Sequence, residues 1–467
     1  MKKIFVFAVA IAFFTSCELK DEDQTVDYNG FQSQEVSDVF VSCASSGCHG
    51  GIESARGLNL ESYTDLMNGS SSRPLSNGSY SGEVIIPFNS GKSLLYQIVT
   101  GNTSELNPNH SNILSDAEKN VLKNWINNGA KNYKNEIAFS NSSYNVYVCN
   151  QSGDAVSVID GDQKVVSRII DLNFNNSIEA PHMIKEYGEY IYVTLISAGK
   201  LIKIRKSDLQ IVGELNGLFY PGMIQLYPER NKIYVSRSST APGVYSSIYV
   251  VNLDDLSLRG EIDLLLTGVP HGISLAKQRN RLYCADLIKN YIYVIDAVAD
   301  EVISPIALTS NYEPMQTTIS PDENFLYISS RGTGELLVMD LNTTNIISTV
   351  AVSPMPMHIA VSSNGNKIYV GSMMNSTVSV VSKDGLVWTK TATISHPAFS
   401  QLHGCDLTAD DKYLYVSSRN QNGSFIPSTK VNGEGNIGNV GIINTQTNTV
   451  EKVIEIEEFG SGLVVEK

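Results

Sequence analysis

After its first 14 residues the chain has no apolar run of the about 18 residues that a membrane-crossing helix needs. Basic residues are in the minority, 34 Lys and Arg against 48 Asp and Glu, for a formal net charge of -14. An acidic surface repels nucleic acid and anionic lipid, so neither is expected as a ligand. Cysteine is scarce, and of the six present Cys149, Cys284 and Cys405 stand singly in apolar strand patterns. An odd set of three argues against a disulfide framework and for buried structural thiols. No G-x-S-x-G, P-loop or H-E-x-x-H motif occurs, and the acidic residues are scattered, so a paired-carboxylate glycosidase has no footing. What is there is ordinary for a folded protein: 467 residues, 42% apolar and 18% charged, enough for two or three domains.

The N-terminus reads as an export signal. Lys2 and Lys3 supply its positive region and Ile4 to Phe14 its apolar region. Phe14-Thr15-Ser16-Cys17 resembles a bacterial lipobox, which implies removal of residues 1–16 and acylation of Cys17. A plain signal peptide is the alternative. Lys20-Asp21-Glu22 resembles the surface-export signal of Bacteroidetes lipoproteins. The expected location is the cell envelope, periplasm-facing or at the outer-membrane surface, with the lipid as sole membrane anchor and residues 17–35 as a linker.

The sharpest local signal is Cys43-Ala44-Ser45-Ser46-Gly47-Cys48-His49. Two thiols followed at once by a histidine suit covalent haem attachment: the thiols add to the vinyl groups and the histidine sits under the iron. The common spacing has two intervening residues; the four here resemble a variant of some multihaem cytochromes. A disulfide with an incidental histidine is one alternative. Zinc is another, though its remaining ligands are missing locally. Further on come Gly57-Leu58-Asn59-Leu60, Tyr63-Thr64-Asp65-Leu66, Ile86-Pro87, Ser93-Leu94-Leu95-Tyr96, and Leu114-Ser115-Asp116-Ala117-Glu118 leading to Trp125-Ile126-Asn127-Asn128-Gly129-Ala130. This order resembles the small planctomycete-type cytochrome c domains, across residues 36–135. Ser115 and Glu118 form a capping box, Val121, Leu122, Trp125 and Ile126 an apolar helical stripe, and Gly129 a stop. The resemblance implies haem c, with Cys43 and Cys48 bonded to it and His49 as proximal ligand. The family usually offers a methionine before the last helix. Here the stretch is Leu106-Asn107-Pro108-Asn109-His110, so His110 becomes the candidate distal ligand, with an exposed loop histidine as the alternative.

Residues 138–467 repeat. Asn231-Lys232-Ile233-Tyr234-Val235, Arg281-Leu282-Tyr283, Phe325-Leu326-Tyr327-Ile328, Lys367-Ile368-Tyr369-Val370 and Tyr413-Leu414-Tyr415-Val416 are copies of one strand. A period of roughly 40 to 50 residues built from four short strands signals a β-propeller. The pattern resembles the YVTN repeat family. Six units start near His182, Gly222, His271, Met315, Met357 and His403. A seventh is split: Tyr144 to Asp171 lacks an innermost strand, and Gly462-Leu463-Val464-Val465 lacks partners. Pairing these pieces closes the ring and removes both open edges. The expected fold is therefore a small all-α cytochrome c domain followed by an all-β seven-bladed propeller.

Aligned on the strand tyrosine, His271 and His403 lie twelve residues before Tyr283 and Tyr415, and His182 takes the same slot before Tyr192 with a shorter hairpin. Met315, Met357 and Gly222 fill the slot in three other blades, Ser461 in the split one, and His358 lies beside it. The slot opens the innermost strand, so His182, His271 and His403 should face one mouth of the central channel. With about 51° per blade they should be spread around the axis. Converging imidazoles suit a transition metal, and nearby thioethers favour copper. Nitrous oxide reductase, with copper held by histidines at its propeller axis, is an architectural analogy. A wet, polar mouth without metal is the alternative. Arg237, Arg331 and Arg419 follow second strands and are candidates for binding an anion on that face.

The functional expectation is an envelope-anchored c-type cytochrome that transfers electrons, coupled to a redox centre or substrate at the propeller axis. Its partner would be a redox protein, and it would act as a monomer or within an envelope complex. The alternative is a propeller that docks a protein or glycan while the haem serves a larger complex.

Overall fold

The computed structural model describes residues 27–45, 47–70, 82–102, 110–174, 177–239, 246–427 and 435–467. The expected signal peptide, Cys17 and the Leu106–Asn109 stretch lie outside the described residues. A small helical region precedes seven four-stranded antiparallel sheets. Among the described residues no helix is long and apolar enough to cross a membrane.

The helical region contains α1 (Gln34–Val41), α2 (Tyr63–Asn68), α3 (Leu94–Thr100) and α4 (Asp116–Asn127). Ser33, Ser62 and Ser115 each start a helix by accepting a backbone N–H with the side-chain oxygen. At α4 the expected reciprocal capping box with Glu118 forms, and Gly129, with φ of 101°, follows the C-cap Asn128. Helices α1 and α4 pack through Phe40, Leu122, Trp125 and Ile126. Phe31 joins this core, stacked on Phe40 at 4.9 Å, so part of the stretch expected as a linker is instead packed. The reason is hydrophobic: a tyrosine at 28 and a phenylalanine at 31 have an aromatic core beside them to enter.

The propeller closes as expected. Strand Gly460–Val465 pairs with Asn145–Asn150 and completes the first blade. Each blade contributes one buried tyrosine from its second strand: Tyr147, Tyr192, Tyr234, Tyr283, Tyr327, Tyr369 and Tyr415. Each packs into a cluster shared with the blade that follows. Tyr234 meets Ile273 and Leu282, Tyr327 meets Ile359 and Ile368, and Tyr415 closes the ring against Val146 and Val148. A tyrosine supplies a large apolar body there while its hydroxyl finds a polar group at the sheet edge, as Tyr234 does at the Ala297 carbonyl. Cys149, Cys284 and Cys405 are free, buried thiols.

Entry into the innermost strand follows one recipe. Ala180, Tyr220, Glu313, Met355, Gln401 and Phe459 all have left-handed backbone, with φ of 48 to 61°. Such a conformation costs a non-glycine residue of order 1 kcal/mol and is kept where the surroundings demand it. A proline follows in four of these blades (Pro181, Pro221, Pro314 and Pro356), and Pro270 stands at the same place after Val269 in a fifth, each tolerated because it opens an edge strand. Every inner strand then carries a register break at or next to the slot residue. A bulge of this kind re-aims a side chain, here toward the axis.

Candidate functional site: the propeller axis and the Cys43–His49 loop

The recipe gathers the slot histidines instead of spreading them. His182 lies 6.1 Å from His271 and 5.9 Å from His403 between ring centroids, and His358 lies 4.7 Å from His403. The three still sit on blades two, four and seven, as the repeat predicts, and it is the bulge and the narrow bore that bring their rings together. In blade six the break spans two residues, Met357 and His358, and the second supplies the imidazole. Inner strands approach so closely that a Cβ on Gly272, Gly404 or Gly462 would come within 2.5 to 2.7 Å of the neighbouring blade's backbone.

All four rings are buried. His271 Nδ1 donates to the Met315 carbonyl at 3.1 Å, which fixes its tautomer and leaves Nε2 as the open nitrogen. His182 Nδ1 is held in the same way by Gln151 Oε1 at 3.2 Å, and Ser461 Oγ lies 3.3 Å from that oxygen. His403 has no hydrogen-bond partner at either ring nitrogen among the described residues, and His358 Nε2 has none. Burial holds His182 and His403 well below the usual histidine range. It lowers His271 to about 4 and His358 to about 3, with neighbouring rings and cations adding to the effect. The four imidazoles are neutral at physiological pH.

The charged groups that depress these rings are cations: Arg419, Arg331 and Lys185. Arg419 packs over the Phe459 ring at 4.5 Å with Nη1 3.5 Å from Met373 Sδ, and burial lowers it to about 10. Nε of Arg419 and Nε of Arg331 are shielded and without partners among the described residues. Arg331 pairs loosely with Glu313 at 3.5 Å. Arg237 is differently committed, paired with Glu261 at 2.8 Å and bonded to Tyr249 Oη at 2.9 Å. Arg331 and Arg419 follow their blade tyrosines by four residues, Arg237 by three. One residue along a strand reverses the side chain's face, and this turns Arg237 away from the others. Gln151 is also at the four-residue position after Tyr147, so the repeat alignment contained the signal for it. Met315 and Met357 are buried beside the cluster, and the Met315 contact to a ring is through its carbonyl, not its sulfur.

At the Cys43–His49 loop, Cys43 follows Ser42, the C-cap of α1. Cys43 and Cys48 are free thiols. The loop folds on itself through His49 N–H to the Cys43 carbonyl at 3.0 Å and Cys48 N–H to the Ser45 carbonyl at 3.1 Å. Gly50 is required where it is, since a Cβ would stand 2.0 Å from the Ala44 carbonyl oxygen. His49 Nδ1 donates to the Leu58 carbonyl at 3.1 Å, leaving Nε2 as the open nitrogen. His110 is half-buried, with Nδ1 shielded and unpartnered among the described residues and its backbone N–H on the Ile98 carbonyl. An open cleft of about 860 Å³ adjoins neither group; it lies between Phe88 and Phe139 of the helical side and Tyr147, Lys206 and Leu209 of blades one and two.

The profile of the lactonase, seven-bladed β-propeller family matches residues 196–449. Antigen Lp49 of Leptospira interrogans is 29% identical over 250 residues, 51% of each chain. The uncharacterized protein YncE of Salmonella typhi is 26% identical over 191 residues, 40% of this chain and 51% of YncE. The chain thus spans about half the length of these curated relatives. Among solved structures, the periplasmic gluconolactonase PpgL of Pseudomonas aeruginosa has a TM-score of 0.55 at 15% identity, covering 69% of this chain and 99% of its own. A hypothetical selenium-binding protein from Sulfolobus tokodaii has a TM-score of 0.56 at 11% identity, covering 70% and 95%. At these identities the likeness is one of fold. With more than half its length matched by the family profile, and with the closed ring of seven sheets, the chain belongs to the lactonase family of seven-bladed β-propellers.

Proposed function

We propose that this protein is an envelope-anchored electron-transfer protein whose helical region binds haem c. The observation that carries the reading is the Cys43–His49 loop: two free thiols and an imidazole whose Nδ1 is fixed on the Leu58 carbonyl. That is the donor set covalent haem attachment requires, with the second bond that orients a proximal histidine. A bound haem would supply a reversible one-electron carrier. Cys43 and Cys48 would hold it by thioethers, and His49 Nε2 would be the proximal nitrogen. His110, unpartnered at Nδ1, is the candidate for the opposite side. The Phe40, Leu66, Val99 and Trp125 core would keep water from one side of the pocket. The lipid on Cys17 would be the anchor, and the partner a redox protein.

The test is acid-acetone extraction of full-length protein co-expressed with cytochrome maturation machinery. Pigment should stay with the polypeptide, and Cys48→Ala should shift the pyridine haemochrome band as one thioether is lost. Free release of the pigment, or none bound, overturns the reading.

A second reading has the family assignment in its favour: lactone hydrolysis at the axial mouth, with Arg331 and Arg419 receiving an anionic substrate. Assaying a panel of small lactones with wild type and Arg419→Gln decides it. Activity lost in the variant supports hydrolysis, and no activity in the wild type removes it.

A further inference from the structure

We propose that His182, His271, His358 and His403 form an all-imidazole copper site at the mouth of the propeller. This stands apart from the haem reading and uses none of its residues.

Two imidazoles on one ion, with metal–nitrogen bonds of about 2.0 Å, bring their ring centroids to about 5 Å at a tetrahedral angle and about 6 Å at a linear one. The separations of 4.7, 5.9 and 6.1 Å fall in or close to that interval. His271 and His182 are oriented as metal ligands are, each with Nδ1 held by an oxygen and Nε2 left open. His403 sits between His182 and His358, almost wholly buried (1% exposed), with neither ring nitrogen bonded among the described residues. A shielded imidazole with two idle nitrogens is costly unless something takes them up. Among the described residues no three His, Cys, Asp or Glu side chains already stand in ligating array. Closing the site therefore requires ring rotation, and His403, held by no hydrogen bond, can turn.

The choice of ion follows from charge. Imidazole nitrogens suit copper and zinc, and Arg331 and Arg419, whose shielded Nε atoms have no partner among the described residues, put positive charge at the same mouth. A site of uncharged ligands beside a guanidinium favours the ion of lowest charge, which is Cu(I). The competing occupant is an anion on Arg331 and Arg419, and the experiment separates the two.

Full-length protein is titrated anaerobically with Cu(I) against a chromophoric Cu(I) chelator, with iron counted separately. Wild type should take one equivalent. His403→Ala should lose it, and Gln151→Ala, which removes only the oxygen orienting His182, should weaken it about 10- to 100-fold. Circular dichroism checks each variant's fold. Should His403→Ala not fold, His358→Ala and Gln151→Ala carry the test. The site is overturned if wild type competes no better than its folded variants. It is overturned equally if sulfate or gluconate raises the unfolding temperature while Cu(I) does not. Because iron and copper are read separately, the haem and the copper assignments can fail independently.

Discussion

In the propeller the seven second-strand tyrosines each pack into the sheet that follows, so seven aromatic rings share the work of joining seven blades. In the helical region Phe31, Phe40, Tyr63 and Trp125 meet one another, with ring centroids 4.9 to 6.3 Å apart. The first arrangement is a closed chain of equivalent contacts, and it holds only while the ring is closed. The second is a single knot at the centre of one aliphatic core. The two regions also touch. Ile86 enters the cluster shared by blades one and seven, Glu83 accepts the Val166 N–H at 3.1 Å, and Lys92 pairs with Glu457 at 2.7 Å. Val166 belongs to blade one and Glu457 to blade seven, so the helical region leans on the two blades between which the C-terminal strand closes the ring.

The largest effect expected is that of deleting Gly460–Val465, which removes the inner strand of blade one and reopens the ring. Calorimetry should show the propeller transition broadened and lowered by more than the ~4–5 kcal/mol that bounds most single substitutions. A transition left sharp would mean that closure contributes little and that blades are stable in pairs. Next comes Trp125→Ala, expected to cost the helical region ~3–5 kcal/mol. Trp125 is 3% exposed and lies among the other three rings. The propeller transition should stay where it was. An equal shift in both would show the two regions to be one cooperative unit.

Repetition is also why the propeller was the more legible half. Five visible tyrosine strands fixed the period, and the period fixed the blade count and the slot holding His182, His271 and His403. Their convergence was not legible, because a register break is a property of the pairing between strands and leaves no mark in one strand alone. The place of His358 depended on the same break. Arg237 could have been separated from Arg331 and Arg419 by counting one residue. In the helical region only the local signals could be read. The Ser115–Glu118 box is four residues long and needs no tertiary context, whereas the entry of Phe31 into the core depends on a helix more than 80 residues away.

A smaller contrast concerns alkaline pH. Burial pushes the Tyr63 phenol up to about 12, and its hydroxyl donates to the Ala130 carbonyl at 2.9 Å. A folded-state value raised above the unfolded one, near 10, gives stability that is complete below pH 10 and fades as pH rises toward 12. The helical region should therefore loosen across that window, and Tyr63→Phe should flatten the dependence by about 1 kcal/mol at its upper end. An unchanged slope in the variant would assign the alkaline loss to the propeller tyrosines instead, several of which burial also raises.

The smallest effect tests the seam. Lys92 and Glu457 join the two regions with side chains 30% and 10% exposed, so water screens one end of the pair and not the other. A double-mutant cycle of Lys92→Ala and Glu457→Ala should return a coupling of ~1 kcal/mol, at the top of the range for partly exposed pairs, and it should shrink in salt. The reading that matters is which transition it moves. The ion pair spans the seam, so its energy is lost when either region unfolds first. If the helical region is the weaker partner, the coupling appears in its transition and leaves the propeller's unchanged. A coupling seen only in the propeller transition would reverse that order and make the helical region the support on which blade seven, which carries Glu457, depends.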